Sequence, residues 1–133
     1  MLKTRTLLKD SPIFTTFAVP DIKAAKRFYG ETLGLDVRDG EMQGLIEIWT
    51  KDSRPVTVYP KPDHKPANFT VLNFPVDDVD QAVDELKAAG VTFERYDNDS
   101  IKTDAKGIAR GQGPAIAWFR DPAGNILSVM SRS

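Results

Sequence analysis

One plan occurs twice along this chain, and it limits the fold more than any single residue does. In "TTFAVPDIKAAKRFYGETLGLDV" an apolar strand runs into Pro20-Asp21, a helical stretch, Gly34 and a second strand. In "TVLNFPVDDVDQAVDELKAAGVTF" a strand again runs into Pro75 and Asp77-Asp78, a helix, Gly90 and a further strand. Residue identity between the halves is low, so it is the architecture that repeats.

The second helix is the clearer of the two. Val79, Ala82, Val83, Leu86 and Ala89 form one helical stripe. Asp78 is placed to cap its start, and Gly90 to take the left-handed conformation that ends it. Ile22, Ala25, Phe28, Tyr29 and Leu33 repeat the stripe between Asp21 and Gly34. Strands are expected at Leu35–Arg38, Leu45–Trp49 and Val56–Tyr59 after the first helix. After the second they are expected at Val91–Arg95, Ala115–Phe119 and Ile126–Met130. Each half is then β-α-β-β-β, and "PKPDHKPAN" with its three prolines reads as a stiff linker between them. A half of about 60 residues buries too little surface to stand alone, so the two must share a core. The expectation is one α+β domain over residues 1–133, with repeat one at about 13–60 and repeat two at about 67–131. Two cupped mixed sheets would carry helices on their outer faces and a concave inner surface enclosing a cavity.

Composition removes several function classes. Lys and Arg number 18 against 19 Asp and Glu, which leaves no basic field for phosphate binding, so no nucleic-acid partner is expected. There is no cysteine, hence no disulfide, thiolate nucleophile or cysteine-based zinc site. No apolar run approaches the ~20 residues of a spanning helix, and "MLKTRTLLKDSP" lacks the apolar core of a secretory signal. No membrane partner and, by default, a cytoplasmic location follow.

The stretches "VPDIKAAKRFYGETLGL", "VDDVDQAVDELKAAGV" and "FRDPAGNIL" together resemble the vicinal oxygen chelate superfamily of glyoxalase I, extradiol dioxygenases and the bleomycin and fosfomycin resistance proteins. The resemblance runs from about Ile13 to Met130. It implies a divalent metal at the mouth of a cupped sheet, held by the first and last strands of each repeat, and a homodimer with sites at or near the interface. The first-strand position lies seven residues before the Asp that opens each helix, which gives Phe14 and Val71. The last-strand position lies seven after the Asp of Asp-Pro-x-Gly, which gives Ser128; its partner in the first half falls near Thr57, in a register that also admits Tyr59. Zinc takes His, Cys and carboxylate, and octahedral sites take carboxylates, carbonyls and waters. Phe, Thr or Tyr, Val and Ser supply none of the strong donors, so neither a metal nor another cofactor is expected, and whether the chain is an enzyme stays open.

Strand alternation then offers a different lining. Phe14, Val71, Trp118, Ile126 and Met130 supply apolar surface; Thr16, Asn73, Ser128 and Tyr59 supply uncharged polar groups. The expected ligand-binding set is Phe14, Thr16, Tyr59, Val71, Asn73, Trp118, Ser128 and Met130, and the expected partner is a small hydrophobic or aromatic molecule. Two alternatives remain: a metal-dependent lyase or dioxygenase with non-standard ligands, and an interaction module whose cavity is filled. The loop "YDNDSIKTDAKGIARGQGP" reads either as a lid or as a solvated excursion, and its glycines make no phosphate-binding motif. His64, among prolines, reads as an exposed linker side chain. Asp77, Asp78 and Asp80 read as helix-start residues. Glu47 faces either the cavity, as the best candidate for a general base, or solvent.

Overall fold

A computed structural model describes residues 7–111 and 113–132, so half of the N-terminal stretch lies outside the described residues. The first half contains β1 (Thr16–Val19), α1 (Ile22–Lys26), a π-helical turn (Arg27–Thr32), β2 (Asp36–Asp39), β3 (Ile46–Trp49) and β4 (Val56–Pro60). The second contains β5 (Thr70–Val76), α2 (Val79–Ala88), β6 (Ile108–Ala109), β7 (Ile116–Arg120) and β8 (Ile126–Ser131). The strands form two four-stranded sheets, ordered β1-β4-β3-β2 and β5-β8-β7-β6. Only β1/β4 and β5/β8 are parallel, because in each half the helix carries the chain away after the first strand. The expected α+β architecture of two cupped mixed sheets with two helices is what forms.

Both helices begin as their sequences dictate. The Asp21 carboxylate accepts the amides of Lys23 and Ala24, and that of Asp78 accepts Gln81. The first helix then departs from α geometry. The Leu33 amide donates to the Phe28 carbonyl at 2.9 Å, five residues back, which is the π-helical bond. The wider turn lets two adjacent side chains reach the interior. Phe28 packs against the core and Tyr29 is wholly buried, their rings edge-on at 5.1 Å. Phe28 also lies 6.5 Å from Phe119 on β7, so the first helix serves both sheets.

The turn between β7 and β8 completes the junction. Tyr29 Oη donates to Asp121 Oδ2 at 2.7 Å, while Asp121 Oδ1 accepts the amides of Ala123 and Asn125 at 2.9 Å each. Asn125 Nδ2 donates to Asp121 Oδ2 and to the Ala18 carbonyl on β1, both at 3.0 Å. Burial pushes the Tyr29 hydroxyl well above the usual tyrosine range, and the Asp121 charge and hydrogen bond push it the same way. Tyr29 therefore remains a donor at any ordinary pH.

The expected strand at Val91–Arg95 does not form as such. Phe93 makes a single bridge to Phe119, and the Glu94 amide donates to the Trp118 carbonyl at 2.8 Å. The edge of the second sheet resumes only at β6. Between them Asn98 folds the chain back, its side chain accepting the amides of Ser100 and Ile101, and Asp97 pairs with Lys102. Local turn chemistry thus splits one edge strand into two short pieces with a hairpin between.

Register fixes the faces. Thr16, Thr57, Glu47 and Arg38 stand side by side across β1, β4, β3 and β2. Asn73, Ser128 and Trp118 form the corresponding row across β5, β8 and β7. Thr16 and Asn73 each lie five residues before their helix-opening Asp, so Thr57, not Tyr59, is the counterpart of Ser128. Glu47 therefore points to the concave face, settling the orientation the sequence left open. The opposite faces carry Val19, Ile46, Ile48 and Val58 in one sheet and Ala117, Phe119, Leu127 and Val129 in the other, all buried.

Candidate ligand site

The largest groove near the predicted residues lies where the exposed edge of β1 approaches the start of β5, with the linker as its third wall. Its volume is about 710 Å³. Thr16, Tyr59 and Val71 of the predicted set line it together with Phe69, and the linker contributes Lys61, His64 and Lys65.

The linker is seated rather than free. The Lys61 amide donates to the Val19 carbonyl at 2.8 Å, and the His64 amide closes a turn onto the Lys61 carbonyl at 2.9 Å. Pro66 then rests on the turn before β8: a Cβ on Gly124 would stand 3.2 Å from Pro66 Cγ, and Gly124 has φ of 89°. Glycine is required there for both the backbone and the close approach. His64 is consequently half-buried, not the exposed side chain its proline-rich setting suggested. The composition that reads as a spacer also holds these side chains against the groove.

A separate cleft of about 440 Å³ lies on the concave face of the second sheet, lined by Ile116 and Trp118 and by Ser100, Ile101 and Lys102 of the hairpin. Trp118 Nε1 donates to Thr70 Oγ1 at 3.2 Å. Because β8 lies between β7 and β5, the indole must cross over β8 to make this bond. Ser128, on β8, is wholly buried, and its hydroxyl donates to Asn73 Oδ1 at 2.6 Å. Tyr96 stands edge-on to Trp118 at 5.5 Å. Ion pairs tie the chain on either side of β6, beyond the hairpin, to α2: Lys106 to Asp80 at 3.2 Å and Asp84 at 3.0 Å, and Arg110 to Asp80 at 2.8 Å. Hydrogen bonds from Arg110 and Lys106 hold the Asp80 carboxyl below the usual carboxylate range.

The concave face of the first sheet is more polar. Trp49 Nε1 donates to Glu47 Oε1 at 3.1 Å. The Arg38 guanidinium lies 4.3 Å from the Trp49 ring centre and pairs with Asp36 at 2.8 Å. The structure therefore divides the eight predicted residues. Thr16, Tyr59 and Val71 share the groove, Trp118 floors the cleft, and Asn73 and Ser128 bond each other. Phe14 is 59 % exposed at the entry to β1, and Met130 is half-buried on β8.

The positions at which the resemblance places metal ligands carry Phe14, Thr57, Val71 and Ser128, whose side chains do not fit a divalent metal. Among the described residues no group of three or more His, Cys, Asp or Glu side chains could hold a metal ion. The sequence profile of the glyoxalase/bleomycin resistance protein/dioxygenase superfamily matches residues 13–129. The chain belongs to that superfamily. No curated protein matches it. Among solved structures, a member of the superfamily from Sphaerobacter thermophilus DSM 20745 is 22 % identical, with 95 % of this chain and 100 % of that one covered and a TM-score of 0.69. TnmS3, an antibiotic binding protein from Streptomyces sp. CB03234, is 24 % identical over 93 % of this chain and 98 % of its own, with a TM-score of 0.67. Lactoylglutathione lyase from Agrobacterium tumefaciens is 20 % identical over 92 % and 94 %, with a TM-score of 0.65. Chains of this fold thus include an antibiotic binding protein and a lyase. Among the described residues no helix is long and apolar enough to cross a membrane.

Proposed function

We propose that this superfamily member binds a small, largely apolar or aromatic organic molecule without a metal, in the groove that Thr16, Tyr59 and Val71 of the expected set line. The observation that carries the reading is the side-chain chemistry at the four ligand positions. Register makes Thr57 the counterpart of Ser128, and neither residue, nor Phe14 or Val71, offers the nitrogen, thiolate or carboxylate that a metal-dependent lyase needs. Apolar walls with a few placed hydroxyls and amides suit an organic ligand. The similarity to an antibiotic binding protein agrees with this reading.

A second copy of the chain is part of the proposal. Phe14 and Phe69 are 59 % and 64 % exposed, and Ile13 beside Phe14 is 77 % exposed. A homodimer that covers these side chains would wall the groove from outside. In the same reading the protein is cytoplasmic.

Metal analysis of protein purified without chelator, together with a thermal-shift screen of small aromatic compounds, tests the proposal. Metal well below stoichiometric amounts and at least one compound that raises the melting temperature are expected. Near-stoichiometric zinc, nickel, manganese or iron would overturn it. Light scattering should give the mass of a dimer, and a monomer at micromolar concentration would remove that part.

A further inference from the structure

Two side chains on the groove have their hydrogen-bonding roles fixed by partners behind them. Asn125 is 2 % exposed and lines the groove of about 710 Å³. Its Nδ2 donates to the Ala18 carbonyl and to Asp121 Oδ2, both at 3.0 Å. Both partners serve as acceptors, so the amide cannot be turned round, and Oδ1 is left as an acceptor. Among the described residues nothing donates to that oxygen, and the single buried side-chain polar atom without a partner is His64 Nε2. Asn125 Oδ1 is therefore not sealed, and it opens onto the groove that Asn125 lines.

Thr70 supplies the opposite character. It is half-buried on β5 and lines the same groove. The Trp118 indole can only donate, so Thr70 Oγ1 accepts from it at 3.2 Å and keeps its own proton for another partner. Among the described residues no acceptor takes that proton. The register of β5 on β8 shifts between Thr70 and Leu72, which sets Thr70 opposite Ile126, the residue after Asn125. A fixed acceptor and a fixed donor are thus carried on neighbouring chain segments, about 5–6 Å apart at the backbone.

We infer that the groove takes a lactam, a flat ring with an N–H beside a C=O: the N–H donates to Asn125 Oδ1 and the carbonyl accepts from the Thr70 hydroxyl. Apolar surface for the ring comes from Tyr59 and Phe69, which line the same groove. A ligand of the same outline without the N–H would cover Asn125 Oδ1 and leave it unpaired. That loss is what allows a polar site to reject a near-isostere. Asn125 is held by its two bonds before a ligand arrives, which limits the ordering cost of binding. This inference rests on the small-molecule reading above and names the ligand class for that groove.

The test uses the full chain and a matched pair of probes, 2-quinolone and coumarin. Coumarin keeps the outline and the carbonyl and has a ring oxygen in place of the N–H. Affinities come from calorimetry, and the Asn125 side-chain amide and Thr70 methyl resonances report where the probe sits. 2-Quinolone is expected to bind about tenfold or more tightly than coumarin and to shift both sets of resonances. Thr70→Val should weaken 2-quinolone about fivefold, and Thr70→Ser, which keeps the hydroxyl, should retain most of the affinity. The probe pair acts on the unaltered chain, so the Asn125 half of the test stands whatever a substitution does to folding. Equal binding of the two probes, unmoved Asn125 and Thr70 resonances, or full affinity in folded Thr70→Val would each overturn the lactam assignment and leave the small-molecule reading standing. Binding of neither probe overturns the lactam assignment alone if the thermal-shift screen yields a stabilising compound, and both readings if it yields none.

Discussion

The two halves share a backbone plan and differ in what they place on it. Across the first sheet the concave row reads Thr16, Thr57, Glu47, Arg38; across the second, its counterpart reads Asn73, Ser128, Trp118. Glu47 and Trp118 occupy equivalent places. In the second half the indole crosses its own sheet to Thr70, Ser128 is sealed beneath, and a hairpin stands over the result. In the first half the equivalent face carries a carboxylate held by Trp49 and an arginine paired with its neighbour Asp36. The repeat therefore constrains strands, helices and turns, while the lining of each concave face is set one residue at a time.

Substitutions can break this comparison, beginning where the halves meet. Asp121→Ala would strip partners from Tyr29 Oη, Asn125 Nδ2 and two buried or half-buried amides. Each orphaned group costs about 1–3 kcal/mol, so a loss of about 3–5 kcal/mol in urea denaturation is expected. A loss below about 1 kcal/mol would mean that the halves are held together elsewhere. The two tryptophans come next. Trp118→Ala should cost about 1–3 kcal/mol and Trp49→Ala under about 1, because the former reaches across β8 to Thr70 while the latter touches only Glu47 on its own strand and Arg38 on the next. Equal losses by the same measurement would erase the contrast drawn between the two concave faces. Gly124→Ala places a Cβ at a positive φ and against Pro66, and should cost about 1–2 kcal/mol while loosening the linker. Unchanged His64 amide exchange in that variant would show that the linker is seated by its other contacts.

The smallest effect concerns the chain on either side of β6, which Asp80 ties to α2. Asp80 has a folded-state carboxyl below its ordinary value of about 3.9. Its contribution is therefore fully present above that ordinary value and lost as pH falls through the lower folded-state value. Hydrogen exchange of the amides from Lys106 to Arg110, normalised for the intrinsic rate, should be steady from about pH 7 to 5 and rise below about pH 4. Asp80→Asn should show the faster exchange throughout. A segment insensitive to both changes would be held by the β6–β7 backbone bonds and by the Asp104 turn.

Much of the fold was legible because its signals are local. Helical stripes, capping aspartates and Asp-Pro-Ala-Gly-Asn each act within a few residues, and all appear where the chain places them. The exception at Val91–Arg95 arose because an Asx-type turn at Asn98 competes with strand pairing, and apolar alternation does not report that competition. Alternation did assign the faces of Trp118, Phe119, Leu127 and Val129. It did not show that Trp118 would cross β8, since that depends on the position of Thr70, distant in sequence.

From its own order of residues the chain specified two β-α-β-β-β units, which follow from periodicity and capping, both short-range properties. The four positions Phe14, Thr57, Val71 and Ser128 are what the family resemblance implies, and the sequence supplies only the side chains that stand there. Tertiary structure alone decided how the units meet and which residues share a cavity. The π-helical turn that turns Phe28 and Tyr29 inward answers to Asp121 and Phe119, about ninety residues away. His64 lines the groove because Pro66 rests on Gly124, a contact between a linker and a distant turn. Backbone propensity is settled by neighbours in sequence, but a site is settled by neighbours in space, and only packing brings those together.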